Sequence, residues 1–125
     1  MKKIINTSNA PAPIGPYSQA VMVGNTLYTS GQIAINPATN ELEIDEIKSE
    51  TKLVMENLKA VLGEAGMDFS NIIKCSIFIS DMNNFAQINE VYGTYFTADF
   101  PARETVEVAC LPKSVNVEIS AIAVK

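Results

Sequence analysis

The stretch DEIKSETKLVMENLKAVLGEAGMDFSNIIKCSIFIS, residues 45–80, contains the pattern that decides the fold. Its first half carries apolar residues at helical spacing, which predicts an amphipathic helix capped at Asp45 and stopped at Gly66. A strand is predicted next, over residues 72–80, with one face formed by Ile73, Cys75, Ile77 and Ile79. A helix followed directly by a strand indicates a layered domain of helices on a sheet.

Upstream, the sequence predicts three strands and an extended arm. Residues 2–6 are typical of a short edge strand, and the prolines within residues 10–16 favour an extended, ordered arm. Residues 17–23 and 26–33 then flank Gly24-Asn25, a dipeptide typical of hairpin turns.

Downstream, the sequence predicts a second helix and two closing strands. Asp81 is placed to cap the helix, which must end before Pro101 and has an apolar stripe of Phe85, Ile88, Val91, Tyr92, Tyr95 and Phe96. The strands cover residues 104–110 and 115–124. The order β-β-β-α-β-α-β-β predicts one α+β domain, residues 1–125, with a single mixed β-sheet and two helices packed on one face.

This architecture leaves one face of the sheet without a cover inside the chain. In the last strand, Ile122 and Val124 alternate with Ile119, Ala121 and Ala123, so both faces carry apolar residues. An apolar sheet face left over in a small domain predicts self-association. The copy number does not follow from this pattern.

Composition excludes several classes of function. The net charge is −5 and no basic run is present, which disfavours nucleic-acid binding. The sequence contains no histidine, so Ser-His-Asp and Cys-His catalysis and histidine metal sites are excluded. No glycine-rich phosphate loop is present.

Compartment and thiol chemistry are also constrained. The first residues do not form a signal peptide, and no apolar run approaches the length of a membrane span. Cys75 and Cys110 stand alone, which predicts two reduced, buried thiols and no metal site. A cytoplasmic location is expected.

Four segments carry residue types suited to chemistry: Gly15-Pro16-Tyr17-Ser18, Thr29-Ser30-Gly31-Gln32, Pro101-Ala102-Arg103 and the mid-strand Glu118. An arginine binds anions, and a carboxylate in apolar surroundings can act as a general base or acid. Each also has a purely structural interpretation. Tyr17 could be a core residue and Gly31 a bulge, Arg103 and Glu118 could form an ion pair, and Asn89 could be a solvated helix residue.

Several stretches resemble the RidA (YjgF) family. They are Ile14-Gly15-Pro16-Tyr17-Ser18-Gln19-Ala20, Thr29-Ser30-Gly31-Gln32-Ile33, Phe100-Pro101-Ala102-Arg103, Val106-Glu107-Val108-Ala109, Leu111-Pro112-Lys113 and Val117-Glu118-Ile119. The resemblance covers essentially the whole chain in the same order, which makes it specific.

The resemblance implies a chorismate-mutase-like fold assembled as a homotrimer around a central barrel, with active sites in clefts between subunits. It also implies an enzyme, a 2-iminobutanoate/2-iminopropanoate deaminase that hydrolyses enamines and imines such as 2-aminoacrylate to 2-ketoacids and ammonia. No metal or organic cofactor is implied. By similarity, Arg103 binds the substrate carboxylate and Glu118 activates water. Tyr17, Ser30, Gly31 and Asn89 line the pocket, and strand alternation leaves Thr105 on the cleft side.

The sequence departs from the family pattern after the arginine, where relatives commonly carry a small residue and then cysteine. Here Glu104 and Thr105 occupy those positions, which argues against a cysteine nucleophile. Cys110 stands where relatives often have arginine. These departures keep a second hypothesis open, a weakly catalytic or non-catalytic regulatory trimer that binds a small ligand. A ribonuclease or translation inhibitor is a third, disfavoured by the acidic charge and the absent histidine.

Overall fold

Six strands form one mixed sheet in the computed structural model, which describes residues 1–125. The strands are β1 (Lys2–Ile5), β2 (Ala20–Val23), β3 (Thr26–Thr29), β4 (Ile72–Ile79), β5 (Ala102–Glu107) and β6 (Val117–Val124). The helices are α1 (Ile47–Glu64) and α2 (Phe85–Gly93). Short 3₁₀ turns cover Phe69–Asn71, Met82–Asn84 and Pro112–Ser114. The predicted α+β order of elements is confirmed.

The path of the chain through the sheet explains why both helices lie on one face. The spatial order is β1-β2-β3-β6-β4-β5, with β4 and β5 parallel and the other neighbours antiparallel. Because β3 and β4 both run antiparallel to β6, they are parallel to each other. The crossovers through α1 and α2 therefore join parallel strands and move in the same direction. Right-handed connections of this kind place both helices on the same side.

The first helix begins one residue later than predicted. Its N-cap is Glu46, whose carboxylate accepts hydrogen bonds from the backbone N–H of Lys48 at 2.9 Å and of Ser49 at 3.0 Å. The prediction of Asp45 as the cap was wrong, because Glu46 is the extended residue at the boundary and its longer side chain reaches the same orphan donors. At the other end, Gly66 adopts φ 72°, the left-handed conformation that the sequence predicts.

A bulge changes the face of one predicted core residue. The pairing of β4 with β6 shifts register between Ile72 and Lys74, which turns Ile73 outward to 53% exposure while Ile72 is buried. The prediction that Ile73 shares a face with Cys75, Ile77 and Ile79 was therefore wrong. The other three are buried as expected.

The second helix is shorter than its apolar stripe. Asp81 caps the 3₁₀ turn Met82–Asn84 rather than the α-helix, which begins at Phe85 and ends at Gly93. Tyr95 and Phe96 lie beyond the helix end and pack through aromatic contacts with Phe69, at centroid distances of 5.0 and 5.6 Å. Aromatic packing, not helical periodicity, therefore accounts for the last part of the stripe.

Strand ends differ from the predicted ranges. Strand β3 stops at Thr29, although a bridge between Gln32 and Ile119 resumes the pairing. Strand β5 covers Ala102–Glu107, because its parallel pairing with β4 begins at Lys74 and ends at Ile79. Arg103 therefore lies inside a strand.

The sheet has one covered and one open face. Side chains of both helices join Leu27, Cys75 and Ile119 in a single buried cluster on the covered face. The open face carries apolar side chains that are only partly buried or exposed: Ile4, Val21, Tyr28, Phe78, Val106, Ile122 and Val124. The predicted uncovered apolar face is therefore present.

Neither helix has the length and hydropathy needed to span a bilayer.

A buried carboxylate connects α1 to the loop before β6. Glu50 is fully buried and accepts two hydrogen bonds from Asn116, one from the backbone N–H and one from the side-chain amide, both at 2.7 Å. It also lies in the first turn of α1, where the helix dipole favours a negative charge. This contact fixes the start of the helix against the edge of the core.

Replacing Glu50 with Gln is expected to lower the free energy of unfolding by about 1–3 kcal/mol, because one buried donor of Asn116 loses its acceptor. The measurement is urea denaturation followed by circular dichroism. Glu64→Gln, an exposed change at the far end of the same helix, serves as the control and should leave stability within about 0.5 kcal/mol. Equal stability of the two variants would contradict this role of Glu50.

Candidate active site

Two clefts hold the site residues predicted from the sequence, with the exception of Thr105. One has a volume of about 510 Å³ and includes Tyr17, Ser30, Gly31 and Glu118 in its lining. The other has a volume of about 440 Å³ and includes Asn89 and Arg103. The structure thus divides the predicted site residues into two groups within one chain.

Helix α2 positions the guanidinium of Arg103. The Arg103 Nη1 donates a hydrogen bond to Asn89 Oδ1 at 2.7 Å. The guanidinium also lies over the rings of Phe85 and Tyr92, 5.6 and 5.1 Å from their centroids. These three helix residues share a face at spacings of four and three. The contacts pre-order the arginine and leave most of its five N–H donors available to a ligand.

Asn89 is therefore not simply a solvated helix residue, because its side chain contacts Arg103. Its side-chain oxygen is committed to Arg103, although the residue itself is exposed and borders the same cleft. Asn89 can act on a ligand through the orientation of Arg103.

Two hydroxyl groups are buried on the Arg103 side of the sheet. They are the Tyr92 hydroxyl, which lies against the Cys75 thiol, and the Thr105 hydroxyl, which has no hydrogen-bond partner. Thr105 faces the same side of the sheet as Arg103, as alternation predicts, but it does not line the cleft. Burial raises the pKa of the Cys75 thiol, which therefore stays protonated. Cys110 is exposed, so the prediction that both thiols are buried was wrong for Cys110.

Glu104 points away from Arg103. Its carboxylate accepts a hydrogen bond from the Ser76 hydroxyl and forms an ion pair with Lys74 at 3.0 Å on the open face of the sheet. Glu104 is therefore separated from the Arg103 guanidinium by the sheet, and its charge is balanced locally.

Glu118 projects from the open face of β6 into the other cleft. The cleft wall opposite the sheet comes from the arm between β1 and β2, through Pro11, Ala12, Ile14 and Tyr17. The Ser30 hydroxyl donates a hydrogen bond to the Ser18 carbonyl at 2.5 Å, which ties the base of this arm to the sheet. Tyr17 is 53% exposed and is therefore not a core residue.

A bulge shapes the floor of this cleft. Tyr28 pairs with Ile122, but Gln32 pairs with Ile119, so residues 29–31 oppose only residues 120–121. The extra residue interrupts the ladder, and the Thr29 hydroxyl compensates by accepting a hydrogen bond from the Ala121 N–H at 2.9 Å. The interpretation of Gly31 as part of a bulge agrees with this register.

Gly31 lies in direct contact with the Glu118 carboxylate. A Cβ atom at position 31 would lie 1.9 Å from Glu118 Oε2 and 2.6 Å from its carboxyl carbon. Only glycine therefore lets the carboxylate occupy its observed place.

The electrostatic environment of Glu118 favours proton uptake. Burial raises the pKa of its carboxyl above the ordinary value, because a partly desolvated carboxylate loses hydration. A carboxylate of this kind is a stronger base than a solvated one. It is suited to taking a proton from a bound water molecule.

Arg103 and Glu118 lie on opposite faces of the sheet within one chain. Arg103 pairs with Cys75 and Glu118 pairs with Phe78, and Cys75 and Phe78 point to opposite sides of β4. The two residues are also separated by two strand spacings, about 10 Å. This arrangement excludes an ion pair between Arg103 and Glu118 of the same chain.

The cleft around Glu118 includes residues that the sequence analysis did not assign to a site. Pro112 and Lys113 line it from the turn before β6, and Gln19 borders it from below the arm. Lys113 has φ 55°, a left-handed conformation unusual for a lysine. The resemblance included the segments that contain all three, but the sequence carried no signal for their positions around Glu118.

No cluster of three acidic or thiol side chains in the chain could hold a metal ion.

The chain matches a known protein family over almost its whole length. The family model described as Endoribonuclease L-PSP matches residues 7–125. A RutC family protein of Pyrococcus horikoshii is 52% identical over 125 residues, covering 100% of this chain and 99% of the relative. A mouse protein named 2-iminobutanoate/2-iminopropanoate deaminase is 46% identical over 125 residues, covering 100% of this chain and 93% of the relative.

Solved structures match over almost the full chain. A Rid family protein from Yersinia pestis superposes with a TM-score of 0.97 at 48% identity, covering 100% of both chains. Escherichia coli TdcF, solved with bound serine, superposes with a TM-score of 0.95 at 47% identity, covering 98% of both chains. The sheet order, the two helices and these matches together show that the chain belongs to the RidA/YjgF family.

Proposed function

We propose that this protein is a 2-iminobutanoate/2-iminopropanoate deaminase, which hydrolyses small 2-imino acids and their enamine tautomers to 2-ketoacids and ammonia. The observation that carries the proposal is the pre-ordered Arg103 guanidinium together with a partly desolvated Glu118 carboxylate. The name of the mouse relative supports the reaction class.

The carboxylate of the substrate is the group that Arg103 is suited to bind. A guanidinium offers parallel N–H donors that match a carboxylate in bidentate geometry. Asn89 and the rings of Phe85 and Tyr92 hold its plane in place before the ligand arrives. The serine bound to E. coli TdcF supports a ligand that carries an amino-acid carboxylate.

The reaction requires a base, a water molecule and a route for both protons of that water. Glu118 takes one proton from water while the water oxygen forms a bond to the carbon of the protonated imine, which gives a neutral carbinolamine. Glu118 then returns this proton to the amine nitrogen, the carbon–nitrogen bond breaks to release ammonia, and the hydroxyl proton passes to Glu118 as the carbonyl of the ketoacid forms. Loss of that proton to solvent restores the carboxylate. The raised pKa of Glu118 favours proton uptake, and the balance of atoms requires no cofactor.

We further propose that each site is shared by two copies of the chain in a homotrimer. Arg103 and Glu118 of one chain face opposite sides of the sheet, so a single chain does not present both to one small substrate. The apolar open face around Phe78, Val106 and Ile122 supports burial against another copy. In this proposed assembly, the Arg103 of a neighbouring copy completes the site at Glu118. The unpaired Cys75 and Cys110 support a reducing, cytoplasmic compartment.

The direct experiment couples the protein to a threonine dehydratase that generates 2-iminobutanoate in the reaction mixture. Faster ketoacid release with the protein than without it is the expected result. An unchanged rate, combined with measurable binding of 2-ketobutanoate, would favour the regulatory trimer.

Size-exclusion chromatography with light scattering tests the proposed assembly. A homotrimer is the expected result, and a monomer would contradict the shared site.

Arg103→Ala is expected to lower kcat/KM by about a hundredfold, because the substrate carboxylate loses its charge-assisted hydrogen bonds. Arg103→Lys should recover only part of this loss, since an ammonium cannot form the bidentate contact. The measurement is the coupled assay at varied dehydratase flux. Lys59→Ala, which removes an exposed cation outside both clefts, is the control and should retain wild-type activity. Wild-type kcat/KM in Arg103→Ala would remove Arg103 from the site.

The activity is expected to rise with pH on the acid side, because Glu118 must be ionised to accept a proton from water. Since its pKa is raised, the midpoint of this rise should lie above the ordinary value of 4.5. Carbon NMR titration of the Glu118 carboxyl measures the pKa directly. Glu118→Gln should lower kcat strongly and abolish this limb of the profile, whereas Glu64→Gln should not. An unchanged profile in Glu118→Gln would exclude the proposed base.

Gly31→Ala is expected to lower kcat by at least about tenfold while the protein remains folded. The added methyl group occupies the place of Glu118 Oε2, so the carboxylate must move away from the attacking water. Steady-state kinetics and the melting temperature are the measurements. Gly63→Ala, at a helix position with open space around it, is the matched control. Full activity in Gly31→Ala would show that this contact does not position Glu118.

A further inference from the structure

The arm that walls the Glu118 cleft has few hydrogen bonds of its own. In residues 6–18 a single backbone-to-backbone bond is donated, from the Tyr17 N–H to the Gly15 carbonyl at 2.9 Å. Pro11, Pro13 and Pro16 have no N–H to donate. The arm therefore depends on side chains to hold it against the domain.

One buried side chain supplies most of these contacts. Gln19 is 1% exposed, and its Oε1 accepts a hydrogen bond from the Thr7 N–H at 2.7 Å. Its Nε2 donates to the carbonyls of Thr7, Pro11 and Ala10 at 3.0, 2.9 and 3.3 Å. Both ends of the amide are thus used along residues 7–11. An amide carries only two N–H donors, so one N–H must be shared between two of the three carbonyls.

The backbone of Gln19 is hydrogen-bonded to the segment that follows β3. Its carbonyl accepts a hydrogen bond from the Ser30 N–H at 2.9 Å, beside the bulge that contains Gly31. The same residue therefore links the arm, through its side chain, to the bulge next to Glu118, through its backbone. The wall itself packs weakly, since Ile14 and Tyr17 are 65% and 53% exposed.

We infer that Gln19 is a positioning residue for the cleft. It sets ligand affinity through the arm and makes no contact with the reacting atoms. Its nitrogen donors are committed to the arm, although the residue borders the cleft. The link to catalysis rests on the proposed deaminase function, whereas the link to the arm and to ligand binding does not.

The test uses Gln19→Met, which keeps the shape of the side chain and removes all of its hydrogen bonds. The Thr7 amide is the direct probe, because Gln19 Oε1 is its acceptor. Its hydrogen exchange by NMR is expected to accelerate about tenfold. The KM in the coupled assay and the Kd for 2-ketobutanoate should each rise about tenfold, with kcat within about twofold of wild type.

A matched control separates arm position from general stability. Asn71→Leu removes a similar amide clamp, in which Asn71 accepts from the Asp68 N–H at 2.9 Å and donates to the Val124 carbonyl at 3.1 Å. Neither cleft includes Asn71. This variant should lower the melting temperature but leave Thr7 exchange, KM and Kd unchanged. Gln19→Leu, which also removes the acceptor for the Thr7 N–H, replaces Gln19→Met if that variant does not fold.

Each outcome decides part of the inference. Unchanged Thr7 exchange in a folded Gln19 variant would overturn the clamp. Faster exchange with unchanged KM and Kd would overturn its influence on the cleft. Failure of the proposed function would instead be seen in the wild type, as absent ketoacid release, and the Kd measurement would still decide the role of Gln19. A wild type that neither releases ketoacid nor binds 2-ketobutanoate would overturn both the proposed function and the influence of Gln19 on ligand affinity.

Discussion

The handedness of two crossovers determines the rest of this structure. From β3 to β4 and from β4 to β5 the chain moves in the same direction across the sheet between parallel strands. Right-handed connections therefore place α1 and α2 on one face and leave the other face open. The covered face holds the buried cluster, and the open face keeps apolar residues partly exposed.

This division also separates the two charged residues on which the proposed chemistry depends. Arg103 projects toward α2, whose Phe85, Asn89 and Tyr92 hold the guanidinium, whereas Glu118 projects from the open face. Each residue is positioned by its own surroundings within the chain. Under the proposed function, a site that uses both residues is therefore shared with a second copy, which would cover the open face.

The Glu118 cleft is organised by departures from regular pairing. The bulge at residues 29–31 brings Gly31 against the carboxylate, and the arm held by Gln19 closes the opposite wall. Neither feature contributes a regular strand or helix contact. Irregular backbone of this kind directs side chains to places that an ideal sheet does not reach.

The sequence by itself determined the order of helices and strands, the stop at Gly66, the buried face of Cys75, Ile77 and Ile79, and the uncovered apolar face. These are local or periodic properties, so spacing along the chain is enough to predict them. Its motifs also indicated the family, and the residue types indicated an anion-binding arginine and a candidate base. Tertiary structure alone decided which strands are neighbours, where the bulges at Ile73 and Gly31 lie, and that Arg103 and Glu118 face opposite sides. Bulges and strand order depend on pairing between residues distant in sequence, and a shift of one residue reverses the face of a side chain. For the same reason, only the folded chain places the Gln19 amide against residues 7–11.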